Sequence, residues 1–362
     1  ASIQVLPGEP EALRHLAIIL EAHGQREAAL LPLGLLTAMG RGDPFETESV
    51  ARLMAEVIPA SVDMSEGRAE VSPSVQAVED LFTLLLAAVR EPLDEAFRMA
   101  RHDEFKSWRP VEGPLHDLVE SIGQQMDLPP VECGYIDQWS GPPDCIAFNP
   151  SRLALSERFT ERNATSEQIF HLSRAIYLGA GASCFASCIP PEESLAILAA
   201  TVALVDEVLG PEYALATMVG EDAIAYWAGF LCDATTDEQR ELWLPTVRQV
   251  IEAGPEGFIH WAEWVYASAN RIALVISGDL ATAIKALKSV SDEARNHVVT
   301  GPETFRELLA MEPSIEQMHI FAFGRDYGDS PRFVGEDSLV GGLLIESINV
   351  GEETVTDPSQ EE

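Results

Sequence analysis

EGFIHWAEWVYASANRIALVIS, residues 256–277, decides the reading of this chain. The stretch contains no Pro, and its apolar side chains, among them Phe258, Trp261, Trp264, Val265, Ile272 and Leu274, cover most of a helical circumference. A helix that is apolar nearly all round has to be buried, so this one is placed at the centre of a helical domain. Working outward, the pattern is helical from Thr165 almost to the end of the chain. Thr165 and Gln168 have the spacing of a capping box for a helix running to Gly179. Pro190 and Pro191 open a second helix, which the pattern carries to Leu209 and closes at Gly210. Beyond residue 277, helices are expected over Asp279–Val290 and Glu303–Met311.

Before Thr165 the pattern changes. Val131–Ile136, Cys145–Phe148 and Leu153–Leu155 are short apolar or alternating runs between Pro and Gly, and read as strands. They come after a long amphipathic helix, Ser72–Phe97, which Pro92 interrupts, and another over Gly113–Leu128. At the start, Glu11–His23 and Arg26–Met39 form a helix, Gly turn and helix like one tetratricopeptide-type unit, without a second copy at that period. A charged helix is read over Glu46–Ile58. The expected organisation is therefore a repeat-like helical segment at 1–63, a linker at 64–72, one helical domain at 73–330, and an acidic tail at 331–362 whose end is expected to be disordered. The fold class is mostly α with a small β-sheet.

The charge bounds the partners. Acidic residues outnumber basic ones 59 to 23, giving a formal charge of −36, which repels phosphate backbones and anionic membrane surfaces. Nucleic acid and membrane insertion are not expected, and the longest apolar run, Leu195–Val205, is too short to span a bilayer. Five cysteines without a CxxC pair suggest a reducing, cytoplasmic setting, with Cys184 and Cys188 read as buried small side chains. No basic-then-apolar signal segment opens the chain. It begins with Ala rather than Met, which is consistent with a missing upstream part.

The motifs of common chemistries are absent: no HExxH, GxSxG, Walker A sequence, dinucleotide fingerprint or calcium loop occurs. The glycines of YLGAGAS, 177–183, come after a helix rather than a strand and read as a helix-ending turn, not a phosphate cradle. The eight histidines are scattered. A metal site could be assembled only if the helices carrying His171 and the pair His260 and Glu263 crossed. Asp144 and Glu132 are a conceivable acid and base pair, though surface charges explain them equally well.

The order of elements over residues 110–290 resembles the M48-like gluzincin metallopeptidase domain, as found behind tetratricopeptide repeats in long bacterial proteins. CIAFNPSRLALSERFTERNATSEQIFHLSRAIYLG, 145–179, has that family's succession of strands and zinc-binding helix. WAEWVYASANRIALVISGDL, 261–280, is similar to the segment holding its third ligand. The resemblance puts the first zinc His on Ser173, the general-base Glu on Arg174, the second His on Tyr177 and the third ligand on Ser268. All four are replaced. Ser, Arg and Tyr cannot rebuild an imidazole zinc site, and a guanidinium cannot accept a proton near neutral pH. The resemblance therefore implies a pseudoenzyme: a cofactor-free, peptidase-like scaffold that contacts other proteins as part of a larger assembly. Two alternatives remain open, a metal-dependent hydrolase with an unrecognised site, and a regulator that binds a peptide or small anion in the vestigial cleft at Arg174.

Overall fold

In a computed structural model of the chain, residues 10–46, 48–50, 71–137, 139–148, 151–162 and 165–323 are described. The protein is mostly α with one small mixed sheet. It forms two compact units, one from segments 1–67 and 274–362 and the other from residues 68–273.

In the first unit, helices Pro10–Ala22 and Arg26–Ala38 make a hairpin. It turns at Gly24, whose φ of +78° suits a residue without a side chain. Leu20, Ala28 and Ala29 form the seam. Arg14 ties the first of these helices to residues 41–46, donating to Glu46 at 2.7 Å and to the carbonyl of Arg41 at 2.8 Å. Helix Leu280–Val290 packs against the second helix of the hairpin, and the backbone N of Ala281 comes 3.4 Å from where a Cβ on Gly34 would stand. This close approach groups residues after 273 with the N-terminal hairpin, whereas the sequence pattern placed them in one domain over 73–330. Residues 64–70 of the expected linker, 51–58 of the expected charged helix and the tail at 331–362 lie outside the described residues.

Helices Pro302–Met311 and Pro313–Ala322 end the described part of this unit. His319 packs among Phe305 and Phe323, at 5.8 and 5.1 Å between ring centroids, and its Nδ1 has no hydrogen-bond partner.

The second unit is built around helix Pro73–Ala100. Ser72 caps it, accepting from the N–H of Val75. The helix bends where Val89 leaves helical geometry (φ −125°, ψ 18°), three residues before Pro92. On its inner side Phe82 stacks on Phe185 at 4.1 Å and meets Trp261 at 4.7 Å. Trp261 comes from helix Glu256–Ser277, which has the bounds expected from its sequence, and donates its indole N–H to Glu79 at 2.7 Å.

Three of the sheet's four strands lie between helix Pro114–Gln125 and helix Thr165–Leu178 in the chain, and the first strand precedes the former helix. The strands are β1 (Arg109–Pro110), β2 (Glu132–Tyr135), β3 (Asp144–Phe148) and β4 (Ser151–Leu155), in spatial order β1-β2-β4-β3. The β2 and β4 pair is parallel and the others antiparallel. Strand β1 has no counterpart in the sequence reading. It pairs through only two residues. The Trp108 ring lies over β2 where Gly134 leaves room; any Cβ there would overlap the indole.

One helix ends earlier than its sequence pattern suggests. Helix Pro191–Val205 stops four residues before Leu209. Asp206 accepts the N–H groups of Val208 and Leu209 at 3.1 and 2.9 Å, which ends the old helix. Gly210 then begins helix Gly210–Ala216 instead of closing the previous one. Helices Glu221–Ala234 and Asp237–Ala253 lead on to the central helix, the latter with a complete Thr236 and Gln239 capping box.

Burial lowers the His319 imidazole from its ordinary 6.5 to about 4, so the folded chain holds it neutral while an unfolded chain protonates it first. Its contribution is thus complete above about pH 6.5, is lost as pH falls, and levels off near pH 4, a swing of about 3 kcal/mol. Thermal unfolding of the full chain between pH 7 and pH 4 should show a steeper acid loss for the wild type than for His319→Phe; parallel losses would refute the assignment.

Candidate functional site

The four positions that the resemblance matches to zinc-site residues, Ser173, Arg174, Tyr177 and Ser268, all lie in the second unit, on helices Thr165–Leu178 and Glu256–Ser277. Ser173, Tyr177 and Ser268 are 0, 1 and 0% exposed, so none of the three faces an open cleft. The Ser173 Oγ has no hydrogen-bond partner. Small side chains at 173 and 268 are what closely packed helices require, whatever their ancestry.

Arg174 is the polar centre of this region. Its Nε donates to Oδ1 of Asn270 at 2.9 Å, across 96 residues of sequence. The guanidinium carbon also lies 5.6 Å from the centroid of the Tyr266 ring. Tyr266 in turn donates its hydroxyl to the carbonyl of Ala186 at 2.7 Å. Helix Thr165–Leu178, helix Glu256–Ser277 and the short Cys184–Ser187 helix are thereby linked by one chain of contacts.

The ionisable groups here are displaced by their surroundings. Burial lowers the Arg174 guanidinium, while Tyr266 and Asp144 act in the opposite sense. Burial raises the Asp144 carboxyl against the charges of Arg101 and Arg174 and a hydrogen bond from the Cys145 backbone. Burial likewise raises the Tyr266 phenol, opposed by Arg174. Displaced groups of this kind mark candidate functional sites. Chemically, however, the set holds one permanent cation already engaged by an amide and a phenol that is bonded to a carbonyl. The arrangement is suited to fastening three elements together rather than to moving a proton.

The conceivable Asp144 and Glu132 pair is not formed. Glu132 is bound instead to Arg152 at 2.6 Å, directly across from it on β4. Asp144 lies opposite Ala154, on the other side of β4. Sequence spacing alone missed Asp144 and Asn270 as neighbours of Arg174, since both reach it only through the fold.

His171, His260 and Glu263 differ in their surroundings. His171 is buried, with the rings of Phe159 and Phe170 edge-on at 6.5 and 6.0 Å. His260 and Glu263 lie on the exposed face of helix Glu256–Ser277. Among the described residues no three His, Cys, Asp or Glu side chains gather as metal ligands.

The YLGAGAS segment makes the turn its glycines suggest. Gly181 has a φ of +52° and opens a short 3-10 turn, Gly181–Ser183. Gly179 is needed for another reason, because a Cβ there would overlap the Cys145 thiol. Cys133, Cys145, Cys184 and Cys188 are all buried and in no disulfide, and Cys232 is exposed. Burial raises Cys133 to about 11 and raises Cys184 as well.

No helix among the described residues is long and apolar enough to cross a membrane. No protein-family model, curated protein or solved structure matches the chain.

Replacing Asn270 by Ala removes the acceptor of a poorly solvated guanidinium and should cost about 2 kcal/mol in urea unfolding. Glu263→Ala, on the exposed face of the same helix, should change stability by less than about 0.5 kcal/mol. Equal effects from the two substitutions would show that the Arg174 contact contributes nothing.

Proposed function

We propose that this chain is a non-catalytic protein-interaction component, built on a helical frame resembling a gluzincin peptidase from which the zinc ligands have been exchanged. The resemblance rests on the order of elements and on segments 145–179 and 261–280. The replaced positions support a non-catalytic role through their chemistry: three pack inside the second unit, and the fourth is a guanidinium engaged by Asn270.

The observation that carries an interaction role is a short apolar ridge. Val208, Leu215 and Met218 are 85, 68 and 93% exposed, around a helix of only seven residues, Gly210–Ala216. Exposed Pro211 and Leu215, four apart, share one side of this helix, and Val208 and Met218 flank it in the turns at its two ends. Isolated exposed apolar residues are ordinary, but a contiguous row of them is a feature of binding surfaces.

The ridge is also held in place. Thr217 donates to the carbonyl of Ala214 at 2.7 Å and accepts from the N–H of Val219 at 3.4 Å. Between them Met218 takes a φ of +59°, a conformation uncommon for a residue with a side chain. Glu207, Glu212, Glu221 and Asp222 are exposed around it. An apolar row with an acidic border suits a protein whose own apolar contact is bordered by Lys or Arg, and the overall charge of −36 draws such a partner in.

The test compares the intact chain with Leu215→Asp and Met218→Asp combined, as baits in the native extract. A partner retained by the wild type, weakened by salt and lost with the double variant is the expected result. Identical retained proteins for both baits would remove the ridge from consideration.

A further inference from the structure

The bend in helix Pro73–Ala100 opens a cleft of about 520 Å³ in the second unit. This is within the range of about 300–1,000 Å³ usual for sites that hold small molecules. Pro92 has no N–H to offer the carbonyl of Ala88, and with Val89 out of helical geometry the two halves of the helix diverge. The Gly181–Ser183 turn closes the other side, through Gly181 and Ala182. Leu86 and Ala182, both largely buried, give the cleft an apolar floor, and Ala87 and Pro92 extend it outward.

One cation lines this cleft. Arg90 is half-buried, and its Nε is closed off from solvent without a hydrogen-bond acceptor. No ion pair engages it among the described residues, whereas Arg98, further along the same helix, is paired with Asp94 at 2.6 Å. The contrast is informative in a chain with 59 acidic residues for 23 basic ones, where acceptors are plentiful. Glu91 lines the cleft too. Glu91 is exposed where Arg90 is half-buried, and no ion pair joins the two among the described residues.

We propose that this cleft binds a small organic monocarboxylate, with the anion on the Arg90 guanidinium and the hydrocarbon part against Leu86, Pro92 and Ala182. The charge count selects a single negative charge: one guanidinium is available, and Glu91 together with the acidic surface opposes a second. A planar carboxylate also matches the paired terminal nitrogens of a guanidinium, the Nε being closed off from solvent. The apolar floor selects a ligand with a hydrocarbon body over a bare inorganic anion. Neither the apolar ridge nor the zinc-ligand positions take part, so this site stands independently of the interaction role.

The test titrates the full chain calorimetrically with butanoate, hexanoate and octanoate, and with hexanamide and inorganic phosphate as controls. Hexanoate and octanoate should bind more tightly than butanoate, and the two controls should bind at least about tenfold more weakly. Arg90→Gln should weaken hexanoate binding about tenfold or more, the loss expected for one charged hydrogen-bond donor. Ala87→Trp, at an exposed lining position remote from the core, should fill the cleft and abolish binding while leaving the helical circular dichroism unchanged. The proposal is overturned if no carboxylate binds, if hexanamide or phosphate binds as well as hexanoate, or if a folded variant of either kind keeps the wild-type affinity.

Discussion

The second unit depends on the buried aromatic contact between Phe82, Phe185 and Trp261. Large rings supply much of the apolar area that a core removes from water, and these three come from separate parts of the chain. Trp261 also brings a polar N–H into the core, and its bond to Glu79 keeps that group from being buried unsatisfied. The single contact sets helix Glu256–Ser277 against helix Pro73–Ala100 and places the Cys184–Ser187 turn beside both. The Arg174, Asn270 and Tyr266 contacts are a second, polar fastening, which adds helix Thr165–Leu178 to helix Glu256–Ser277 and the Cys184–Ser187 turn.

Much of this was legible from residue pattern. Helix Glu256–Ser277 was readable because its apolar residues run almost all round; Gly278, at a φ of +66°, follows its last residue. The interruption at Pro92 and the turn at YLGAGAS were also visible, since proline and glycine act on their own neighbourhood. What escaped was decided by atoms distant in sequence or by local polar competition. Strand β1 exists only through its pairing with β2, and helix Pro191–Val205 ends because a carboxylate at Asp206 captures two backbone N–H groups. The association of residues after 273 with the N-terminal hairpin likewise depends on a close approach at Gly34 that no periodicity reveals.

The candidate sites divide in the same way. A motif search led to Ser173, Arg174, Tyr177 and Ser268, and the fold shows three of these as core positions. The search could not show that Asp144 and Asn270 adjoin Arg174, because they meet it only in three dimensions. Nor could it find the cleft beside Arg90, because its walls come from a helix bend and a turn about 90 residues further on. Local features were readable separately; their juxtaposition was not.

The distribution of thiols gives the protein a built-in reporter. Only Cys232 stands at the surface, whereas Cys133, Cys145, Cys184 and Cys188 are sealed inside the second unit. An alkylating dye meets one site on the folded chain, at the helix next after the apolar ridge. Any further labelling has to wait for the interior to open, so the rate at which the remaining four sulfurs become modified is a direct clock for breathing of the Phe82 and Trp261 core.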